Sequence, residues 1–311
     1  MTPGNAAIVA SALLVDALFG EPPERLHPVV WMGRAISTCE KPMLALKDPR
    51  RRRAAGLFLA ASLPAATYLC SRAFLNAAPG GLRPVLEVAL ISTALSMRGL
   101  GLAARDVQRD LASGNLRQAR VSVGRFVGRD TADLSEAEIC RAAVESVAEN
   151  ASDGVVAPML YGFLFGAPGA LAYKAVNTVD SMVGYRNERH RDLGWAGARL
   201  DDLANLIPAR LTVLAAAVAS SAPARVIRAA RRYGPLTASP NAGRVEAAFA
   251  GALGVRLGGT NSYGGVESRG PTLGDGRLPT VEDVGLAVAL MRRLCGMLAA
   301  AALLLGVMRR G

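Results

Sequence analysis

RRRRAAGLFLAASLPAATYLCSRAFLNAA, running from Arg50 to Ala78, decides the fold class. Beyond the four arginines lies an apolar stretch longer than the roughly 20 residues needed to cross a bilayer, interrupted by the single charge of Arg72. Basic residues immediately before such a stretch mark its cytoplasmic end. The segment 21–53 is therefore expected on the cytoplasmic side, and after two crossings 105–153 should return there. Leu82–Ala104, Leu203–Ala222 and Leu286–Met308 read as further spans, each carrying one or two arginines. Ala6–Phe19 is shorter, either extended by its flanks or only partly inserted. Val155–Val176 is apolar but broken by Pro158, Gly162, Gly166, Pro168 and Gly169. Such a run suits a bent or re-entrant helix, because backbone irregularity inside a membrane survives only where protein or water satisfies it. The expectation is an all-α, polytopic integral membrane bundle with about four to six membrane segments. It forms one membrane-embedded enzyme domain over residues 1–311, with broken helices and polar cytoplasmic loops near 105–153 and 224–283.

The bulk numbers agree without deciding. The chain is 51% hydrophobic and only 5% aromatic, with 33 glycines among 311 residues. Small residues let membrane helices approach closely. Net charge is +11, much of it explained by the cytoplasmic excess of Lys and Arg. No zinc-finger spacing, RNP motif or basic face interleaved with aromatics is present, so nucleic acid is not an expected partner. Cys39, Cys70, Cys140 and Cys295 form no CxxC pair and the histidines are only His27 and His190, which disfavours zinc and iron–sulfur sites. The N-terminus lacks a basic n-region and its apolar run contains Asp16, unlike a cleavable signal. GxxxxGK[ST], strand-borne GxGxxG, GxSxG and HExxH are all missing. Phosphate chemistry would have to rest on Arg, Lys, carboxylate-held magnesium and loop amides.

Polar residues gather in four blocks. In DALFGEPPERLHPVVWMG (Asp16–Gly33), Asp16, Glu21 and His27 are either turn residues or the mouth of a pocket. In ESVAENASDG (Glu145–Gly154), Glu145 and Glu149 are i,i+4 and Asp153 follows near the same face. Acids so stacked repel unless a cation lies between them, and Asn150 adjoins them. The block from Tyr173 to Arg210 holds Lys174, Asn177, Asp180 and Ser181 at the end of an apolar run, then Asp201 and Asp202 four and three positions before Asn205. That acid–acid–amide spacing suits magnesium held with phosphate oxygens. Arg186, Arg189, Arg191, Arg199 and Arg210 supply cations for phosphates. SPNAGRVEAAFAGALGVRLGG (Ser239–Gly259) reads as a turn and helix cap, or as a loop offering amides, with Asn241, to an anion.

GEPPERLHPVVWMG, ESVAENASDGVVAP, GALAYKAVNTVDSMVGYRNER, ARLDDLANLIPARLT and SPNAGRVEAAFAGALG, in this order, resemble the CobD/CbiB family, the cobinamide-phosphate synthases of cobalamin biosynthesis. The five blocks reach from about Asp16 to Tyr263. Glu21 stands where the family's turn is expected to carry Asp, keeping the charge but not the reach.

The resemblance implies a ligase of the cell's inner, cytoplasmic membrane with its active site toward the cytoplasm. It would use ATP and Mg2+ to join the f-side propionate of (adenosyl)cobyric acid, a corrinoid, to (R)-1-amino-2-propanol or its O-phosphate. Under it, Asp201, Asp202 and Asn205 hold magnesium, while Lys174 and Arg210 face phosphate. Glu145, Glu149 and Asp153 bind the amine or a second metal, and one carboxylate takes the amine proton. Asn177, Asp180 and Asn241 orient substrate, with His27, Asn150, Ser181 and Arg186 lining its site. The lipid bilayer is a partner by construction, and other membrane enzymes of cobalamin assembly are candidates for a complex. The rival readings are a corrinoid transporter, which predicts inverted repeats that the sequence lacks, and a non-catalytic membrane scaffold.

Overall fold

The computed structural model describes residues 4–185 and 188–308. Its helices are, in chain order, α1 (Gly4–Phe19), α2 (Pro28–Leu44), α3 (Pro49–Ala77), α4 (Arg83–Ser92), α5 (Met97–Ala112), α6 (Leu116–Val123) and α7 (Glu136–Ala151). There follow α8 (Ala157–Val183), α9 (Trp195–Ala204), α10 (Leu206–Ala219), α11 (Pro223–Arg232), α12 (Ala242–Leu253) and α13 (Val281–Met308). A hairpin of β1 (Leu257–Tyr263) and β2 (Val266–Leu273) lies within the region read from sequence as a polar loop.

The ends of these helices follow from local chemistry. Asp48 caps α3 by accepting from the Arg50 N–H at 2.9 Å, with Pro49 as the first helical residue. Ser135 and Glu138 close a capping box on α7. α12 stops at Gly254, whose φ of 70° needs a residue without a Cβ.

Four helical segments among the described residues are long and apolar enough to cross a membrane: 49–77, 83–112, 136–183 and 281–308. A fifth arises if α9 and α10 count as one broken span. The protein is a mostly helical, multi-pass membrane protein. The break expected within Val155–Val176 falls at Gly166, and a second irregularity that the sequence did not signal precedes it. Ser152–Val156 is a turn of π-helix, and Gly166, with φ 71°, interrupts α8.

The chain forms two compact units, each assembled from separated stretches. The first takes the chain through Leu95, then Ala157–Asn205, and the C-terminal part from Ala299. Its core joins Ile36, Leu59, Ala60, Val179, Val183, Leu193 and Ala196. Gly56 is required there, since a Cβ on it would come within 1.9 Å of the Leu193 carbonyl oxygen.

The second unit comprises Ser96–Val156 and Leu206–Leu298. Its centre is α7, in which every residue from Ile139 to Ala148 is buried. The sequence reads this stretch as amphipathic helix within a polar region, and the structure buries it along most of its length. Its charges mislead because Arg141 and Glu145, one helical turn apart, neutralise each other.

Candidate functional site

In the first unit, the C-terminal half of α8 and the C-terminal end of α9 share a polar network of residues singled out in the sequence. Gly197 makes their close approach possible, because a Cβ there would sit 2.8 Å from Val179 Cγ1. Asn205 is 1% exposed; its Nδ2 donates to Asp201 Oδ2 at 3.0 Å, and its Oδ1 accepts the Tyr173 hydroxyl at 2.8 Å. Asp201 Oδ1 accepts from Asn177 Nδ2 at 3.4 Å, and Lys174 Nζ donates to Asn177 Oδ1 at 3.3 Å. Tyr161 completes the wall. It stacks on Tyr173 with ring centroids 5.0 Å apart and donates its hydroxyl to the Ala204 carbonyl at 3.0 Å. Lys174, Asn177, Asp201 and Asn205, all singled out in the sequence, thus meet in one network. Tyr173 and Tyr161 join it without having been identified.

Other residues of the same block point elsewhere. Asp202 is next to Asp201 on α9, about 100° around the helix, and its Oδ2 lies 3.8 Å from Arg199 Nη1. Ser181 is exposed and donates to the Asn177 carbonyl within its own helix. Asp180 folds against the Gly184 turn that ends α8. Arg186 lies outside the described residues.

The proline-rich turn after α1 belongs to this unit too. His27 caps α2, its Nδ1 accepting from the Val29 N–H at 3.3 Å, and its Nε2 faces Glu21 Oε2 at 3.5 Å. That contact, aided by the charges of His27 and Lys174, holds the Glu21 carboxyl below the usual glutamate value. Glu21 lines a largely apolar cavity of about 980 Å³, together with Phe19, Trp31, Thr67, Phe74 and Thr93. Asp16 is fully buried and is not among the lining residues.

The second unit holds two further sets of candidates. Glu145 Oε2 meets Arg129 Nη2 at 2.5 Å, and its Oε1 meets Arg141 Nη1 at 3.4 Å and the Gly258 N–H at 2.6 Å. Arg141 also donates to the carbonyls of Gly258 and Thr260 and to Asn261 Oδ1. The base of the hairpin is therefore pinned to α7 by a buried ion network. Glu246 on α12 faces the same network. Burial and the neighbouring charges of Glu145 and Glu149 push its carboxyl well above the usual range.

Glu149 is exposed and Asp153 half-buried on the π-turn, while Asn150 bonds back to the Ser146 carbonyl at 2.9 Å. Arg210 and Asn241, both assigned to substrate from sequence, do meet: Nη1 donates to Oδ1 at 2.6 Å. Ser239 Oγ caps α12 by accepting the N–H groups of Asn241 and Ala242.

Among the described residues, no three His, Cys, Asp or Glu side chains form a group that would hold a metal. The oxygen donors around Asp201 fit a hard cation bound mainly by phosphate oxygens and water, which is how magnesium is commonly held. They do not fit an ion enclosed by protein ligands alone.

The family model described as "CobD/Cbib protein" matches residues 9–291. The chain is 48% identical over 279 residues to "Cobalamin biosynthesis protein CobD" of Geobacter metallireducens, covering 86% of each chain. The protein of the same name from Chromobacterium violaceum is 43% identical over 297 residues, covering 93% of each. That from Synechocystis is 41% identical over 284 residues, covering 88% of this chain and 83% of the relative. No solved structure matches.

Proposed function

The chain belongs to the CobD/CbiB family, and on that premise we propose that this cobalamin-biosynthesis protein is the ligase that attaches the aminopropanol arm to cobyric acid. The observation that carries the reading is the Lys174–Asn177–Asp201–Asn205–Tyr173 network. It sets a cation, a carboxylate and two amides side by side at the end of an apolar helix. Ionisable groups beside membrane segments are costly and mark function.

The reaction needs a poor acyl donor made reactive. The propionate oxygen attacks the γ-phosphorus of ATP, giving an acyl phosphate and ADP. The amine nitrogen of aminopropanol or its O-phosphate then attacks the acyl carbon. The C–O bond to phosphate breaks, inorganic phosphate leaves, and the nitrogen loses a proton as the amide forms. Lys174 binds the phosphoryl oxygens on which charge develops. Asn177 and Asn205 fix the orientation of Asp201, and Tyr173 fixes that of Asn205. Asp201, with Asn205 and Asp202 beside it, would hold Mg2+, which when bound neutralises charge on the triphosphate. Within the second unit, Arg210 with Asn241 offers an anion contact of its own. Glu149 and Asp153 carry carboxylates of the kind that accept an amine proton, whereas Glu145 is engaged by Arg129, Arg141 and the Gly258 N–H.

The Arg50–Arg53 cluster at the head of α3 supports a place in the cytoplasmic membrane with the site toward the cytoplasm. A complex with other membrane enzymes of cobalamin assembly fits that placement.

The test uses purified full-length protein with adenosylcobyric acid, magnesium-ATP and aminopropanol phosphate, following corrinoid mass. An ATP-dependent gain equal to the amide-linked arm is expected. No gain with well-folded protein, repeated with free aminopropanol and ethanolamine phosphate, would replace the ligase by a scaffold.

A further inference from the structure

In the second unit, α11 has two unlike faces. Val226, Ala229 and Ala230 are buried, and the helix lies tight against α12, where a Cβ on Gly251 would come within 2.8 Å of the Arg225 carbonyl oxygen. Arg225 fastens that contact by donating to the carbonyls of Gly251 and Ala252. The other face is open: Pro223, Ala224, Ile227, Arg228, Arg231 and Arg232 line a single hollow of about 700 Å³. Their spacing of three and four residues places them on one side of the helix.

Arg228, Arg231 and Arg232 are exposed, and no acidic residue lines the hollow with them. Among the described residues, none of the three has a carboxylate within ion-pair distance. Arg232 lies over the Tyr233 ring, 5.2 Å from its centroid, a contact that leaves the in-plane N–H groups of the guanidinium available to a ligand. The hollow is graded along the helix, apolar at Pro223, Ala224 and Ile227 and cationic a turn or two further on. Only three residues separate Pro223 from the end of α10, the second arm of the broken membrane segment. Ile207, Leu214 and Val218 of α10 are exposed, an apolar surface suited to lipid. A soluble phosphate would use the arginines alone. A phospholipid uses the whole hollow, with its acyl chains at the apolar end and its phosphate at the cationic one.

We propose that this face of α11 is a docking surface for an anionic phospholipid, its headgroup held by Arg228, Arg231 and Arg232 and its acyl chains starting over Ala224 and Ile227. An arginine beside an anionic lipid surface strengthens binding about fivefold, so three together contribute about a hundredfold. Because the readout is lipid binding, the test stands or falls independently of the ligase reading.

Full-length protein in a neutral detergent is titrated with phosphatidylglycerol, and the retained lipid is counted by native mass spectrometry. Parallel titrations use phosphatidylcholine, and phosphatidylglycerol with excess inorganic pyrophosphate at matched ionic strength. The unaltered protein is expected to retain phosphatidylglycerol in preference to phosphatidylcholine and to keep it against pyrophosphate. The triple variant R228Q/R231Q/R232Q should retain one phosphatidylglycerol fewer per protein, its affinity there being about a hundredfold weaker. In R228Q alone, one retained lipid should bind about fivefold more weakly. Arg228 is exposed, so R228Q should fold normally and keeps the test decisive should the triple variant misfold. Equal retention of the two lipids, or identical phosphatidylglycerol binding by the unaltered protein and R228Q, would overturn the surface. Displacement of the lipid by pyrophosphate would overturn it too, giving the arginines to a soluble phosphate.

Discussion

Tyr173 donates its hydroxyl to Asn205 Oδ1 at 2.8 Å, locking the buried end of α9 to the face of α8 that carries Lys174. Removing one partner of a buried hydrogen bond costs about 1–3 kcal/mol, because the other is left unsatisfied. Tyr173→Phe should lower Tm and reduce ATP-dependent turnover, and Asn205→Ala should do both more strongly. Since the two residues share one bond, the double variant should lose less than the sum of the singles. Strict additivity in a double-mutant cycle would remove Tyr173 from the support of the site.

Asp201 and Asp202 are neighbours in sequence with different surroundings. Asp201 accepts two side-chain amides in a largely enclosed network, whereas Asp202 turns toward Arg199. Asp201→Asn should cut turnover about a hundredfold or more, the scale expected when a preorganised charge is lost from a site. Asp202→Asn should cost about tenfold or less. Steady-state kinetics with varied magnesium distinguish the two, and equal losses would mean that both acids hold the ion.

Glu246 titrates above the ordinary glutamate value of 4.5. A raised folded-state value means that the stability tied to its proton is complete below that pH. It is lost as pH rises toward the folded value. Glu246→Gln keeps the shape without the charge. The variant should therefore gain stability relative to the parent protein as pH climbs from 5 to 9. Denaturation midpoints across that range provide the check, and a constant difference would show that Glu246 is ionised throughout.

Asp130 clamps the hairpin tip, accepting the Gly264 and Gly265 N–H groups at 3.0 and 2.8 Å and the Ser262 hydroxyl at 2.6 Å. These bonds hold its carboxyl below the aspartate value of 3.8. With a lowered folded-state value, the clamp is complete above that pH and is lost as pH falls through the folded value. Hydrogen exchange at Gly264 and Gly265, corrected for intrinsic rates, should be slow at pH 5 and should quicken only once pH has fallen below the ordinary aspartate value of 3.8. In Asp130→Ala it should be fast on both sides of that value.

The membrane character was legible because a long apolar run after four arginines has few other meanings. The Lys174–Asn177 and Asp201–Asn205 pairs were legible as well, being set by helical spacing within a few residues. Tyr173 was not, since its partner lies 32 positions away and a tyrosine in an apolar run looks like core. Nor was the pairing of Glu145 with the Gly258 amide, 113 positions apart. Local pattern carries no information about contacts of that range. Glu246 sits in an Ala-rich helix where a lone acid reads as a solvated residue. Its meaning comes from α7, which packs beside it.

The interleaving of the two units bears on how the protein is made. The chain leaves the first unit at Leu95, returns at Ala157, leaves again after Asn205 and re-enters it at Ala299. During synthesis the first unit lacks α8 and α9 until nearly two-thirds of the protein has emerged, and the second lacks α13 until almost the last. Neither unit is complete as a nascent fragment. Apolar helices must wait in the bilayer for partners that do not yet exist, a state prone to wrong pairing. A nonsense change anywhere before α13 should therefore leave both units defective, and no single contiguous fragment should be recoverable as a folded half.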